Sequence, residues 1–94
     1  MKHFYIDPKM LFGGIVYTAE KQEIVHLSLQ KGNTVPDYVW TNEVNLFVIE
    51  GEVELHLETE TRVLKARELV VIEPFAKHKM MALENSQILV IKIK

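Results

Sequence analysis

The chain has 94 residues, no cysteine, a formal net charge of −2 and 48% hydrophobic residues. This describes one folded domain and excludes intrinsic disorder, disulfides and thiolate metal sites. Lysine and arginine are scattered, which argues against a nucleic-acid partner, because phosphate binding calls for a basic stripe. No apolar run is long enough to span a membrane, and MKHFYIDPKM carries neither an apolar h-region nor a small-residue cleavage site, so a cytoplasmic setting is expected.

Residues 1–22 read as an N-terminal arm with short strands. His3-Phe4-Tyr5-Ile6 is β-prone, Asp7-Pro8 breaks it, Gly13-Gly14 marks a turn, and Ile15–Thr18 is strand-like. The main body, 23–94, starts with a strand over Glu23–Gln30. Val25, Leu27 and Leu29 lie on one face of it, and Ile24, His26 and Ser28 on the other. Lys31–Thr34 is a turn, and Pro36-Asp37 keeps the next segment extended or looped. Tyr38 and Trp40, two residues apart, share a face wherever that segment is extended.

Glu43–Leu57, EVNLFVIEGEVELHL, is the stretch around which the rest is organised. Val53, Leu55 and Leu57 alternate with Glu52, Glu54, His56 and Glu58, the period of a half-buried strand. Val44, Leu46 and Val48 alternate with Asn45, Phe47 and Ile49, so both faces of this run are expected to be covered. Gly51, at the junction, can take positive φ, and the two runs are expected to pair as a β-hairpin. Glu50, Glu52, Glu54, Glu58 and Glu60 make an acidic face that is expected to be solvated.

Arg62–Lys65 and Leu69–Ile72 are short strands, the second stopped by Pro74. In His78–Leu83, His78, Met80 and Ala82 share a face. Gln87–Ile93 is the last strand. No segment has a helix period with caps. Roughly eight to ten strands with turn signals about every 7–12 residues argue for an all-β sandwich or barrel in a single domain.

The chemistry legible from residue types is mostly negative. The histidines His3, His26, His56 and His78 show no metal-ligand spacing. The serines, Ser28 and Ser86, lie in no nucleophile motif, and no helix follows Gly13-Gly14 to hold a phosphate. Neither metal nor cofactor is expected. His78, on an inward strand face, is the histidine with a candidate role.

From Glu23 to Lys94 the chain resembles the cupins, a family of small jelly-roll β-barrels. Gly32 and Gly51 stand at the two glycine positions of the first cupin motif. FVIEGEVELHL is similar to the segment that follows, and His78 stands at the histidine of the second motif. Tyr38 and Trp40 replace the two histidines of the first motif, and Val44 replaces its glutamate, with Glu43 one residue out of phase. Glu73 and Phe75 occupy the proline and glycine positions of the second motif, and Ala82 its asparagine position. The resemblance implies a cupin-type double-stranded β-helix in which, of the four family metal positions, only His78 keeps its ligand.

In the cupin register Tyr38, Trp40, Val44, Leu46, Val48, His78 and Met80 face the barrel interior, an apolar and aromatic lining suited to a small molecule. The leading expectation is a metal-independent ligand-binding protein. Its rival is an isomerase, epimerase or lyase with His78 as base and Tyr38 as acid. A third reading is a structural dimer module with a filled barrel. Phe47 and Ile49 point away from Val44, Leu46 and Val48. Such an outward apolar set predicts a homodimer, as the resemblance also implies.

Overall fold

The computed structural model describes residues 1–94 and consists of nine strands joined by turns and loops. These are β1 (Gly14–Thr18), β2 (Gln22–Leu29), β3 (Thr34–Tyr38), β4 (Val44–Glu50), β5 (Glu52–Leu57), β6 (Thr61–Lys65), β7 (Leu69–Ile72), β8 (His78–Ala82) and β9 (Ser86–Ile93). One sheet runs β1-β2-β9-β4-β7 and the other β3-β8-β5-β6, with all pairings antiparallel. Consecutive strands pair only in β1–β2 and β5–β6. Every other connection carries the chain from one sheet to the other, which wraps the sheets around a common core. No helix is long and apolar enough to cross a membrane.

Side-chain alternation sets the faces, because successive residues of a strand point to opposite sides. Leu29, Val44, Leu46, Val48, Ile72, Ile88 and Val90 come inward from the first sheet. Val53, Leu55, Leu64, Met80 and Ala82 meet them from the second. Leu46, Val48, Val53 and Ile88 are each 0% exposed. The inward sets read from the alternation of β2, β5 and β8 are those found.

The expected β4–β5 hairpin does not form. β4 pairs with β7 and β9, and β5 with β6 and β8. Gly51 still needs its positive φ of 95°, but for a crossover between sheets. A Cβ there would run into Ser86 Oγ and the Asn85 carbonyl, at the turn where β8 crosses back to β9. The two crossovers are knitted together. The Leu83 N–H donates to the Glu52 carbonyl (2.8 Å), and the Glu52 N–H donates to Ser86 Oγ (3.1 Å). Glycine is required because two backbones touch here.

Two other expectations are corrected. His3–Ile6 forms no strand. Asp7-Pro8 cuts it short, and polar contacts draw the following arm across the outer face of the first sheet. Ser28 Oγ and Gln87 Nε2 both donate to the Pro8 carbonyl, at 3.2 and 3.3 Å, and the Ser28 N–H donates to the Phe12 carbonyl. His26, 2% exposed, lies on this face with its ring bonded to Gln87 Oε1 at 2.7 Å. Nor is β4 covered on both sides. A register shift between Val48 and Glu50 leaves Ile49 outside the ladder and 37% exposed.

Candidate binding site at one end of the barrel

β3 is an edge strand, where Pro36 is tolerated because its missing N–H costs no ladder bond. Plain alternation from inward Val35 would turn Asp37 into the barrel. A bulge between Val35 and Tyr38 inserts one residue, so Tyr38 arrives opposite His78 of β8 instead. Trp40 follows it. The two rings lie nearly parallel, 10° apart in plane with centroids 6.3 Å apart. Trp40 is pinned from both ends: its indole N–H donates to the Ile93 carbonyl at 2.7 Å, and its own carbonyl accepts the Phe75 N–H at 2.8 Å. Phe75 holds a φ of 65° at the position where the resemblance placed a glycine.

His78 is 6% exposed and sits edge-on to Tyr38, with centroids 5.8 Å apart. Its Nδ1 lies 3.2 Å from the Ala76 carbonyl. A carbonyl only accepts, so Nδ1 carries the proton, and in the neutral ring Nε2 holds the lone pair.

Lys92 and Glu23 complete the cluster, and the sequence reading missed both. They are cross-strand partners on β9 and β2, and Lys92 is also paired with Val44 on β4. Lys92 Nζ lies 3.1 Å from Glu23 Oε2, with the two side chains only 18% and 19% exposed. The ammonium is 4.8 Å from the Tyr38 ring centre and 5.5 Å from that of Trp40, within cation–π range. Burial alone would lower the Lys92 pKa. The favourable polar surroundings that Tyr38 and Glu23 give the ammonium outweigh it and hold the pKa above 10.5. The missed signal was in the alternation. Lys92 falls in phase with inward Ile88 and Val90, and Glu23 in phase with Val25, Leu27 and Leu29.

The expected pocket lining therefore divides in two. Trp40, His78 and the Lys92 ammonium all meet the Tyr38 ring, with Val44 beside Lys92 in the sheet. Leu46, Val48 and Met80 lie deeper, 0%, 0% and 4% exposed, as part of the packed core. Open clefts of about 290 and 400 Å³ lie beside the edge strand β7, the first reaching Arg62 of β6 and the second the β7–β8 loop at Phe75, Ala76 and Lys77. Leu55, Leu57 and Ile72 reach them, but the rim charges Arg62 and Glu60 are already paired to each other at 3.0 Å. A groove of about 440 Å³ on the outer side of the second sheet runs past Glu54, His56 and Lys79. The end of the barrel is favoured because charged, aromatic and imidazole groups converge there.

A transition metal does not fit this site. It calls for three or four converging donors, whereas Tyr38, Trp40 and Val44 stand where the resemblance placed three of the four ligands, and a positive ammonium faces the two aromatic rings. No three His, Cys, Asp or Glu side chains are grouped to hold one.

Solved structures share this architecture. An RmlC-like cupin with a double-stranded β-helix fold from Methanocaldococcus jannaschii superposes with a TM-score of 0.80 over 99% of this chain and 90% of its own, at 23% identity. The fold is the cupin fold. A cupin superfamily protein from Desulfitobacterium hafniense gives a TM-score of 0.84 over 90% of this chain and 78% of its own, at 12% identity. KdgF from Halomonas sp. gives 0.75 over 84% and 74%, at 22% identity. No family model matches the sequence, and no curated protein matches it. At these identities the likeness is one of cupin architecture, and any function must be argued from the side chains.

Proposed function

We propose that this cupin-fold chain is a metal-independent binding protein that takes a small organic molecule at the Tyr38–Trp40–His78 end of its barrel. The observation that carries the reading is the convergence of two aromatic faces, an imidazole and an ammonium at the end of an otherwise filled core. Mostly apolar walls with a few oriented polar groups are the usual make-up of a small-molecule site. Trp40 is the only tryptophan, so intrinsic fluorescence reports directly from the site. A fragment screen should yield compounds that shift Trp40 emission and raise the melting temperature, and Tyr38→Ala should weaken them. After exposure to nickel, zinc, manganese and iron, elemental analysis should find no stoichiometric metal. One tightly bound metal per chain, or hits indifferent to Tyr38→Ala, would overturn the reading.

The hydrogen bond from His78 Nδ1 favours a second reading, an isomerase, epimerase or lyase, because it leaves Nε2 to serve as base on a ring packed against Tyr38, which would act as acid. A ligand that binds without exchanging any carbon-bound proton for deuterium in heavy water would count against it.

We also propose that two copies pair through the outer face of the first sheet, at Phe47 and Ile49. Leu69, 58% exposed, is the cross-strand partner of Phe47, and Val71, 53% exposed, lies on the same side of β7. The arm is hydrogen-bonded to this sheet at Ser28 and Gln87, on β2 and β9, away from β4 and β7. A two-fold axis lets such a face cover itself. Sedimentation should give a dimer at tens of micromolar, an order-of-magnitude working range, and Phe47→Glu with Ile49→Lys should dissociate it. A monomeric parent protein would refute the pairing.

A further inference from the structure

The ammonium of Lys92 has three N–H donors. Glu23 Oε2 accepts one, and the Tyr38 and Trp40 rings lie within cation–π range, which leaves N–H donors for a further acceptor. The group sits against Tyr38 and Trp40, neither fully buried, while the neighbouring cation at this end, Lys77, is already paired to Asp37 at 3.6 Å. Its existing partner shows which acceptor suits it, since Glu23 is a carboxylate delivered from within the chain.

We infer that Lys92 is the built-in cation of this site and anchors the carboxylate of a small aromatic monoanion, whose ring lies against Tyr38 and Trp40. The inference rests on the binding reading above and names its ligand class. The chain places a fixed positive charge against Tyr38 and Trp40, at two of the positions where the resemblance placed metal ligands, so the site binds an anion without a metal. A monoanion suits it better than a phosphate dianion, because there is one ammonium and Glu23 already neutralises it in part. Glu23 is then an internal competitor that occupies Lys92 until the ligand arrives. His78 meets the Tyr38 ring from its edge and closes the site on the side of β8.

The test is a charge series at constant shape, read by Trp40 fluorescence and by NMR line broadening: benzoate, neutral benzamide and cationic benzamidine. Benzoate should bind most tightly and benzamidine least. Lys92→Met should cost benzoate about tenfold or more, the usual effect of losing one charge-assisted bond, and should cost benzamide, whose neutral carbonyl accepts a weaker bond, clearly less. Glu23→Gln should strengthen benzoate about three- to fivefold by removing the competing carboxylate. The parent protein's charge series needs no variant and still decides the question if Lys92→Met fails to fold. Equal binding of benzoate and benzamide overturns the anchor while leaving the binding reading intact. Equal loss of both compounds in a folded Lys92→Met also overturns it, because the lysine would then act by packing. If no compound of any charge binds, the binding reading falls along with the inference.

Discussion

Replacing Gly51 by alanine tests whether this glycine serves a turn or a crossing of backbones. Three costs add. A φ of 95° is strained for any residue with a Cβ, about 1–2 kcal/mol. The new Cβ meets Ser86 Oγ and the Asn85 carbonyl inside contact distance, and backbone yields poorly, so overpacking adds about 1–3 kcal/mol. Displacing Ser86 strains the bond it accepts from the Glu52 N–H, in a position where Ser86 is 0% exposed; losing it costs about 1 kcal/mol. Against this, alanine restricts the unfolded chain and returns about 0.4–1 kcal/mol. The net expectation is a loss of about 2–5.5 kcal/mol, a large part of a small domain's stability. Gly32→Ala is the control. Its φ of 89° is nearly the same, but nothing lies within 4 Å of the added Cβ, so only about 1 kcal/mol should go. The assay is urea unfolding of both variants followed by circular dichroism, with midpoints compared at equal slope. Equal losses at the two positions would refute the close-approach argument and return Gly51 to an ordinary turn residue.

Other expectations follow from the core and from the barrel end. Leu46→Ala should cost about 2–5 kcal/mol in the same urea assay, because a fully buried side chain leaves a cavity. Trp40→Phe should cost about 1–2 kcal/mol, from the lost bond to the Ile93 carbonyl and a weaker face for the Lys92 ammonium. The raised pKa of Lys92 stabilises the fold fully below 10.5, and that contribution is lost as pH rises through the higher folded value. As pH rises from 10.5 towards that value the urea midpoint of the parent protein should therefore fall more steeply than that of Lys92→Met, which lacks the titrating group; parallel curves would count against the shift.

The sequence disclosed inside and outside better than it disclosed neighbours. Alternation is a property of one strand, so Val53, Leu55 and Leu57, or His78, Met80 and Ala82, could be assigned to the core without knowing their partners. Pairing is a property of two strands, and β4 and β5 are adjacent in the chain yet lie in different sheets. A glycine between two apolar runs reads the same for a hairpin and for a crossover. Only its distance from Ser86 separates them, and that distance is tertiary. Tyr38 and Trp40 were placed together from their spacing, but the bulge at Pro36-Asp37, which turns Tyr38 rather than Asp37 inward, has no sequence period of its own. Lys92 and Glu23 were legible in principle. Each interrupts an apolar face in phase, and their opposite charges on two inward faces were the clue to an interior pair.

The position of β9 bears on how the chain is made. It is hydrogen-bonded to β2 on one side and β4 on the other, with Gln22 opposite Ile93 and Leu29 opposite Ser86. During synthesis the larger sheet lacks its middle until the last strand has left the ribosome. Until then β2 and β4 have no shared partner, and closing a loop between such distant residues is slow. Leu46, Phe47, Val48 and Ile49 are an apolar, β-prone run that can recruit a strand from another nascent chain in that interval. Glu43 stands before the run and Glu50 and Glu52 after it. In the finished molecule they lie near the ends of β4, but in the growing chain they place negative charge on either side of its stickiest segment.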